Sequence, residues 1–322
     1  MQVCKLIALS LGLLSAGVPC RADTIYVSNE QSNTVSVIDS STLAVVATIQ
    51  VGRRPRGLAL SSDGARLYVA AGDDHRIDAV DTRQRQLIGQ LPCGPDPELL
   101  VLHPDGQRLF VANENDNLVT VVDVTAKKII GEVQVGVEPE GVAVSPDGRI
   151  VLNTSETTSM VHVIDAASLE LVDNVLVDTR PRMVLVTPDN GRFWVSSELR
   201  GSATVFDMNT REQLGKVTFE VPGISRELVQ AVGMQMDRRG ARLYVALGPS
   251  NRVAEVDTET LKTVRYYLVG QRVWHIALSP DGKRLYTANG GSNDVSVIDL
   301  SLQKVTNTIR AGRAPWGIVV GP

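Results

Sequence analysis

The stretch NTVSVIDSSTLAVVATIQVG, residues 33–52, is the first copy of a repeat that runs through the chain. The Asp that closes VSVID returns every 42 residues, with one step of 50, at Asp39, Asp81, Asp123, Asp165, Asp207, Asp257 and Asp299. A second marker, the Gly of a turn that reads DG or a close variant, keeps nearly the same spacing at Gly64, Gly106, Gly148, Gly191, Gly240 and Gly282. A period of about 40 residues made of short strands and turns indicates a β-propeller or another repeat array.

Each repeat divides into four short apolar runs. In the second repeat they are GLALS (57–61), LYVAA (67–71), RIDAVD (76–81) and QLIGQL (86–91). The runs are rich in β-branched and aliphatic residues and are bounded by Gly, Pro, Asn and Asp, which is typical of strands joined by tight turns. No stretch of the repeats combines a sustained helical period with caps at both ends. We therefore predict an all-β chain.

The number of LYVAN-like runs predicts seven blades of four strands. These runs begin near Ile25, Leu67, Leu109, Ile150, Phe193, Leu243 and Leu285. The chain opens on the second strand of a blade and ends on a first strand at residues 317–320, so one blade must combine three N-terminal strands with one C-terminal strand. Such closure leaves no long unpaired edge. The prediction is an all-β, seven-bladed β-propeller that forms a single domain over residues 23–322.

Residues 1–22 have the features of a signal peptide. Lys5 precedes an apolar stretch too short to span a bilayer, and the tripeptide that ends at Ala22 resembles a small-x-small cleavage site. We expect cleavage after Ala22 and a periplasmic or secreted protein. Lipidation of Cys20 is the less favoured alternative, because a proline precedes it. The mature chain would keep only Cys93, so we expect the ring to close without a disulfide.

The composition argues against several classes of function. Charged residues are 21% of the chain and of both signs, with a formal net charge of −4. A nucleic-acid-binding protein normally presents a basic face, so we expect no nucleic-acid partner. Aromatic residues are only 4%, so the core must consist of Val, Ile, Leu and Ala. We expect no membrane span in the mature chain, and a monomer.

The segments YVSN (26–29), NTVSVIDSST (33–42), VVATIQVG (45–52) and LSPDG (278–282) resemble the YVTN-repeat β-propeller family, and the resemblance covers residues 24–322. Within that family the chain is similar to exported propellers associated with bacterial alcohol catabolism that depends on pyrroloquinoline quinone (PQQ). The resemblance implies a periplasmic accessory protein with no assigned chemistry. The chain lacks the repeated tryptophan docking motif of quinoprotein dehydrogenases, which resemble eight-bladed rings. We therefore expect it to hold neither PQQ nor another cofactor.

The repeats differ from one another at a position just before each first strand. Aligned on the DG turn, this position is Arg56, Glu98, Glu140, Arg182, Val232, Trp274 and Trp316. Because first strands line the channel of a propeller, these side chains should ring one mouth of it. Arg can grip carboxylates and Trp offers a flat face, which predicts a ligand or partner site. The plainer alternative is that Arg and Glu pair at a solvated rim, at about 0–1 kcal/mol per pair.

His275 lies one residue inside this ring, at the repeat position of Gly57, Gly141 and Gly317. A histidine there could ligate a metal or haem, or act as a general base. The other histidines are in other registers: His75, His103 and His162. A tetrahedral zinc site needs three or four ligands, so we expect no metal and a hydrogen-bonded filler at His275.

An insertion of eight residues before Asp257 lies within KVTFEVPGISRELVQAV, residues 216–232. This loop should open on the face of the Arg/Glu/Trp ring, to which it adds Glu220, Arg226 and Glu227. Long loops on a rigid scaffold often carry recognition, but drift is also tolerated there. The sequence leaves both interpretations open.

Two classes of function remain. The favoured one is a non-catalytic binding or scaffold module, accessory to PQQ-dependent alcohol oxidation in the periplasm, which grips a protein partner or a small acidic ligand at the ring. The alternative is an enzyme of lactonase or haem-dependent type that acts near Glu98, Glu140 and His275. The sequence contains no nucleophile elbow, no Cys-x-x-Cys and no Gly-rich phosphate loop, so we assign no catalytic residue.

Overall fold

A computed structural model describes residues 23–321 as seven four-stranded antiparallel sheets, and the predicted signal peptide lies outside the described residues. The strands are β1 (Thr24–Asn29), β2 (Thr34–Asp39), β3 (Ala44–Gln50), β4 (Pro55–Leu60), β5 (Arg66–Ala71), β6 (Arg76–Asp81), β7 (Gln86–Pro92), β8 (Pro97–Leu102), β9 (Arg108–Asn113), β10 (Leu118–Asp123), β11 (Lys128–Gln134), β12 (Pro139–Val144), β13 (Ile150–Ser155), β14 (Met160–Asp165), β15 (Leu171–Leu176), β16 (Pro181–Val186), β17 (Arg192–Ser197), β18 (Ser202–Asp207), β19 (Gln213–Thr218), β20 (Met234–Met236), β21 (Arg242–Ala246), β22 (Arg252–Asp257), β23 (Lys262–Leu268), β24 (Val273–Leu278), β25 (Arg284–Asn289), β26 (Asp294–Asp299), β27 (Lys304–Arg310) and β28 (Pro315–Gly321). Two 3₁₀ turns lie at Gly72–Asp74 and Arg226–Leu228. Over residues 23–321 no helix has the length and apolar character that a bilayer crossing requires.

The ring closes in the first blade, as predicted. This blade has the strand order β28-β1-β2-β3, and each later blade consists of four consecutive strands. The C-terminal strand pairs antiparallel with the N-terminal one, with Thr24 opposite Gly321 and Ile25 opposite Val320. The first strand of every blade is its inner strand and faces the axis: β28, β4, β8, β12, β16, β20 and β24. The all-β, seven-bladed prediction is confirmed.

Seven apolar clusters form the core, one at each interface between blades. Between the first two blades, Val35 and Val37 pack with Leu67 and Val69. Successive side chains of a strand point to opposite faces of its sheet, so one strand contributes to two neighbouring clusters. Most core residues are aliphatic, as predicted, but aromatic side chains are buried there too, and Phe193 and Phe206 stack with ring centroids 5.1 Å apart.

The repeated Asp closes the turn from the third to the fourth strand of each blade. Oδ1 of Asp39 accepts the backbone N–H groups of Ser41 at 2.9 Å and Thr42 at 2.8 Å. Equivalent pairs of hydrogen bonds form at Asp81, Asp123, Asp165, Asp207 and Asp299, whereas Asp257 accepts the backbone N–H and the hydroxyl of Thr260. Hydrogen bonds from Ser41 and Thr42 lower the pKa of Asp39 to about 2. This residue is needed once per blade and is structural.

The prediction of the turn glycine is wrong by one residue in the fifth blade, where it was assigned to Gly191. The turn glycine Gly64 has a φ of 68° and bonds back to Ser61 at 2.8 Å. In the fifth blade the corresponding residue is Asn190, with a φ of 59° and a hydrogen bond to the Thr187 carbonyl at 3.0 Å. Asn tolerates the left-handed region better than other side chains, so it replaces the glycine. Gly191 follows the turn, and with Asn190 the marker keeps the spacing of the repeated Asp.

The insertion before the sixth blade is anchored in the core by three apolar residues, while most of its other residues are exposed. Phe219, Val221 and Val229 are buried in the cluster between the fifth and sixth blades. The loop lies on the predicted face, since it joins an outer strand to the next inner strand. Within the described chain, its predicted polar residues Glu220, Arg226 and Glu227 are exposed and make no ion pair with the ring. The loop therefore packs the ring and adds no charge to its mouth network.

Candidate functional site

The backbone at the start of the inner strands positions the mouth residues. Five inner strands open with a proline, which suits the first residue of a strand because it has no N–H to donate. The residue before each of these prolines is in the left-handed region, with φ between 52° and 59°: Arg54, Asp96, Glu138, Arg180 and Ala314. The predicted ring residue follows the proline. Side chains on both sides of the proline are thus directed to one end of the channel, here called the mouth.

The structure brings six of the seven predicted ring residues together. Arg56, Glu98, Glu140 and Arg182 form a chain of contacts, with Arg56 at 2.6 Å from Glu98 and Arg182 at 2.9 Å from Glu140. Trp316 and Trp274 continue the ring beside the two arginines. Val232, the seventh, lies before the short strand β20 and packs in the apolar cluster between the sixth and seventh blades instead.

The alternative that Arg and Glu pair with each other is confirmed, but its expectation of a solvated rim is wrong. Arg and Glu do pair with each other, but the pairs are buried rather than at a solvated rim. Glu98 is 0% exposed, Glu140 is 2% and Arg182 is 7%. Burial removes water from these charges, so each must be balanced inside the protein. Removal of one partner of a buried ion pair strongly destabilises a protein, because the other charge is left buried and unpaired. Removal of one partner of an exposed pair costs little.

A second tier of charges surrounds the ring, and the sequence reasoning missed it. Arg54 contacts Asp96 at 2.6 Å and also bonds Glu98. Arg180 contacts Glu156 at 2.7 Å and Glu198 at 3.1 Å. Further acidic residues reach the arginines from the loops between second and third strands: Glu30, Asp73 and Glu114 beside Arg54, and Glu156 beside Arg182. Most of these residues share two repeat positions. The position of Arg54 also includes Asp96 and Arg180, and the position of Glu30 also includes Glu114, Glu156 and Glu198, so the sequence alignment carries a signal for them.

These residues are here called the mouth network. It consists of four arginines, Arg54, Arg56, Arg180 and Arg182, and eight acidic residues, Glu30, Asp73, Asp96, Glu98, Glu114, Glu140, Glu156 and Glu198. The carboxyl groups outnumber the guanidinium groups by eight to four, so the fully ionised network would carry an excess of negative charge.

Burial and neighbouring acidic groups together shift the pKa values of the carboxyl groups. Burial raises the pKa of Glu114 to about 7, and the negative charges of Glu98 and Asp96 add to this effect. Burial and the charge of Glu98 hold the pKa of Glu140 well above its usual range, although Arg182 opposes them. For Glu98, burial alone would raise the pKa, but Arg56 and Arg54 outweigh it and lower the pKa. Glu114, with a pKa of about 7, is therefore partly protonated near neutral pH.

The aromatic side of the mouth is built on Trp316. Its ring is fully buried, with the Arg56 guanidinium 4.1 Å from the ring centroid on one contact and His275 at 4.1 Å on another. Cation–π contacts of this kind are worth about 0.5–2 kcal/mol. The predicted flat face of Trp316 is thus already occupied by protein groups. Trp274 is half-buried and has the Arg272 guanidinium 4.4 Å from its ring centroid.

His275 has one of its two ring nitrogens bonded. Nδ1 lies 3.1 Å from the Trp316 carbonyl oxygen, and a carbonyl can only accept, so Nδ1 carries the proton. Burial and the charges of Arg182 and Arg56 lower the pKa of His275 to about 3, which keeps the ring neutral. This agrees with the expected hydrogen-bonded filler. Nε2, however, has no hydrogen-bond partner among residues 23–321.

Three carboxylates at the mouth lie close enough to share a cation. Oxygen atoms of Asp96, Glu98 and Glu114 all lie within 4.8 Å of one another. The Arg54 guanidinium bonds both Asp96 and Glu98 and lies 4.0 Å from Glu114. The positive charge that this cluster requires is thus supplied in part by the protein itself. The expectation that the chain has no metal site stays a prediction.

The chain is similar to several known propellers. A family profile of the cytochrome d1 haem domain matches residues 67–184, less than half of the chain. Hydrazine synthase of Kuenenia stuttgartiensis has a similar solved structure, with 23% identity, a TM-score of 0.79, and coverage of 90% of this chain and 99% of that chain. A periplasmic gluconolactonase of Pseudomonas aeruginosa has 20% identity and a TM-score of 0.78, with coverage of 93% and 99%.

A further similar structure is a putative 6-phosphogluconolactonase of Bacteroides fragilis, at 18% identity and a TM-score of 0.79, covering 96% of this chain and 100% of that chain. No curated protein sequence matches the chain significantly. At such identities the structural likeness establishes the fold and assigns no activity.

Proposed function

We propose that this chain is an exported, non-catalytic binding module that holds a cationic group of a partner protein or ligand at the mouth of its ring. The excess of carboxylates in the mouth network is the observation that carries the proposal. Burial and acidic neighbours raise the pKa of Glu114, and an added positive charge would stabilise such a carboxyl group in its ionised form. A cationic group arriving at the mouth would relieve the repulsion among these carboxylates.

The resemblance to YVTN-repeat propellers supplies the setting of this proposal. We place the protein in the bacterial periplasm, accessory to PQQ-dependent alcohol oxidation, with its signal peptide removed after Ala22. In that setting the cationic group would belong to a protein of the oxidation system. The mouth is suited to such recognition because its charges are held by the rigid ends of inner strands.

An acidic ligand is the less favoured occupant of the same mouth. Arg54, Arg56, Arg180 and Arg182 already bond carboxylates of the protein, so their guanidinium groups are not free to grip another one. Arg272 is the exception, since it stacks on Trp274 and makes no ion pair within residues 23–321. An acidic group would therefore have to bind there.

Native mass spectrometry of the mature protein, purified gently from the exported fraction, tests the proposal. We expect a complex with a partner subunit that dissociates on collisional activation. The triple substitution Glu30→Gln, Asp73→Asn and Glu114→Gln, at half-exposed or exposed mouth positions, should abolish that complex. The matched control, Glu170→Gln, Glu212→Gln and Glu259→Gln, changes the charge equally in exposed turns at the opposite face and should leave it intact. Equal loss in both variants would contradict recognition at the mouth.

The enzyme alternative has one observation in its favour, the unbonded Nε2 of His275 just inside the mouth. A neutral imidazole with a free nitrogen could act as a base or ligate a haem iron. The similar gluconolactonase suggests an assay of lactone hydrolysis, and the haem-domain profile suggests a search for bound haem. Hydrolysis of gluconolactone, or a visible absorption band of the native protein, that is lost in His275→Leu would favour the enzyme over the binding module.

A further inference from the structure

A cavity of about 480 Å³ lies along the axis of the ring, beyond the mouth and toward the opposite face. All seven inner strands contribute to its wall, and most of the lining side chains are aliphatic. Representative lining residues are Leu58, Val101, Val142, Val184, Ile276 and Ile318. Cavities of about 300–1,000 Å³ with apolar walls and few polar groups are typical of small-molecule sites.

The end of the cavity nearest the mouth is formed by one repeat position. Glycine occupies it in four blades, where an added Cβ would lie within 2.6 Å of a neighbouring backbone atom: Gly57, Gly141, Gly233 and Gly317. The other three blades place a bulky side chain there: Leu99, Met183 and His275. His275 is therefore the polar member of a set that is otherwise apolar.

His275 lines this cavity and keeps one ring nitrogen without a hydrogen bond. The residue is 9% exposed, and its Nδ1 donates to the Trp316 carbonyl oxygen. Nε2 then carries a lone pair, and no residue in the described part of the chain donates to it. Nε2 is not fully buried, so this unbonded acceptor of a cavity-lining residue is accessible to a ligand or a water molecule.

The polar inventory of the cavity limits what the occupant can be. The other polar side chain of the lining is Gln235, which is only half-buried, and no Lys, Arg, Asp or Glu lines the wall. A charged molecule would lose its hydration without compensation. An apolar molecule can displace the weakly held water of an aliphatic cavity at a gain in free energy.

We propose that the axial cavity binds a small, uncharged apolar molecule that carries one hydroxyl group, which donates its hydrogen bond to Nε2 of His275. The chemical class is that of apolar alcohols and phenols. This site lies below the mouth network and does not depend on the binding of a cationic group there. Its failure would leave the proposed function of the mouth unaffected.

Phenol and toluene form the matched pair of probes, because they are nearly equal in size and differ in the hydroxyl donor. Isothermal titration calorimetry on the mature protein gives an association constant for each probe. In His275→Leu the ratio of the phenol constant to the toluene constant should fall by at least about fivefold, since the bound hydroxyl then lacks an acceptor. Leucine is compatible with this position because Leu99 occupies it in another blade.

Two further variants keep the test independent of any damage done by His275→Leu. Gln235→Leu removes the other polar side chain of the lining and should leave the ratio unchanged. Val144→Phe narrows the cavity and should weaken both probes together. The proposal would be overturned if wild-type protein bound neither probe at millimolar concentration, or if the ratio were the same in His275→Leu. A ratio that moved in Gln235→Leu instead, or a metal or haem found on His275, would overturn it as well.

Discussion

Glu114 shows how the mouth departs from ordinary ion pairing. Its nearest guanidinium, that of Arg54, lies 4.0 Å away and is shared with Asp96 and Glu98. Burial and these two acidic neighbours raise the pKa of Glu114 to about 7. The carboxyl group is therefore half protonated near neutral pH. It makes the charge balance of the mouth measurable through both stability and binding.

The first prediction concerns the stability of Glu114→Gln. The folded pKa of Glu114 is raised above its unfolded value, so ionisation costs stability as the pH rises from about 4.5 to about 7 and the full cost remains above that range. Glutamine removes the cost. We expect the variant to be more stable than wild type at pH 8, by about 1 kcal/mol after solvent screening, and equal to it at pH 4.

Urea unfolding at the two pH values measures this difference. Glu259→Gln, an exposed acidic residue at the opposite face, is the control and should show no pH-dependent gain. A Glu114→Gln variant that is less stable than wild type at pH 8 would mean that Glu114 makes a stabilising ion pair.

The second prediction separates packing from recognition at the aromatic side. Trp316 is 0% exposed and contacts both Arg56 and His275, so Trp316→Ala should destabilise the protein by about 3–5 kcal/mol. Trp316→Phe keeps a ring in place, and since the indole Nε1 has no hydrogen-bond partner among the described residues, its loss should be much smaller. Chemical denaturation compares the two variants. Equal losses would show that the ring contacts with Arg56 and His275 contribute little.

Much of the site could be predicted from a single position of the aligned repeats, that of Arg56, for a geometric reason. Side chains at equal repeat positions point to the same end of the ring, so Arg56, Glu98 and Trp316 were expected to meet. Their burial could not be predicted, because it depends on residues at other repeat positions that cover them, such as Arg54 and Glu114. Val232 does not join the other ring residues: the strand β20 is short and begins two residues after Val232.

At the scale of the strands and turns, the repeat markers are explained by backbone chemistry. The repeated Asp receives two N–H groups of a tight turn, and the turn glycine takes a positive φ. Strand positions followed closely from the alternation of apolar runs and turn residues. The exception is the turn at Asn190, where the sequence offers both Asn and Gly and only the backbone decides which takes the left-handed region.

The third prediction tests this turn. Asn190 has a φ of 59°, so Asn190→Ala should cost about 1 kcal/mol more than Asn190→Gly. Both substitutions remove the hydrogen bond from the Asp147 N–H to the Asn190 amide oxygen, so their difference isolates the backbone. Thermal unfolding of both variants gives the result. If Gly191→Ala were the costlier substitution of the turn, the marker would belong at Gly191 after all.

For the whole molecule, closure of the ring is the feature that ties its ends together. β28 supplies the inner strand of the first blade, and its residues Trp316 and Ile318 are buried. Without β28 the edge of β1 would be unpaired, and both the mouth and the axial cavity would open on one side. The fold, the mouth and the cavity thus depend on the same strand pairing.

The fourth prediction is that deletion of residues 315–322 abolishes cooperative unfolding. A circular permutant of residues 23–322 that joins the two ends of this segment with a short linker, and opens new ends between Asn209 and Thr210, should retain it. The two ends of the described segment are adjacent, since Thr24 pairs with Gly321, and the new ends lie in an exposed turn. Calorimetric unfolding compares the two proteins. A truncated chain that still unfolds in one sharp transition would show that closure is dispensable.

We propose that the mouth network recognises positive charge, and titration calorimetry with tri-lysine and tri-glutamate peptides tests this. Above the pKa of Glu114, which is about 7, this carboxyl group is ionised and attracts a cation more strongly. We predict that tri-lysine binds, more tightly at pH 8 than at pH 6 and with release of protons, and that the mouth triple variant loses this binding while the opposite-face control keeps it. Binding of tri-glutamate in its place, abolished by Arg272→Gln, would contradict the claim.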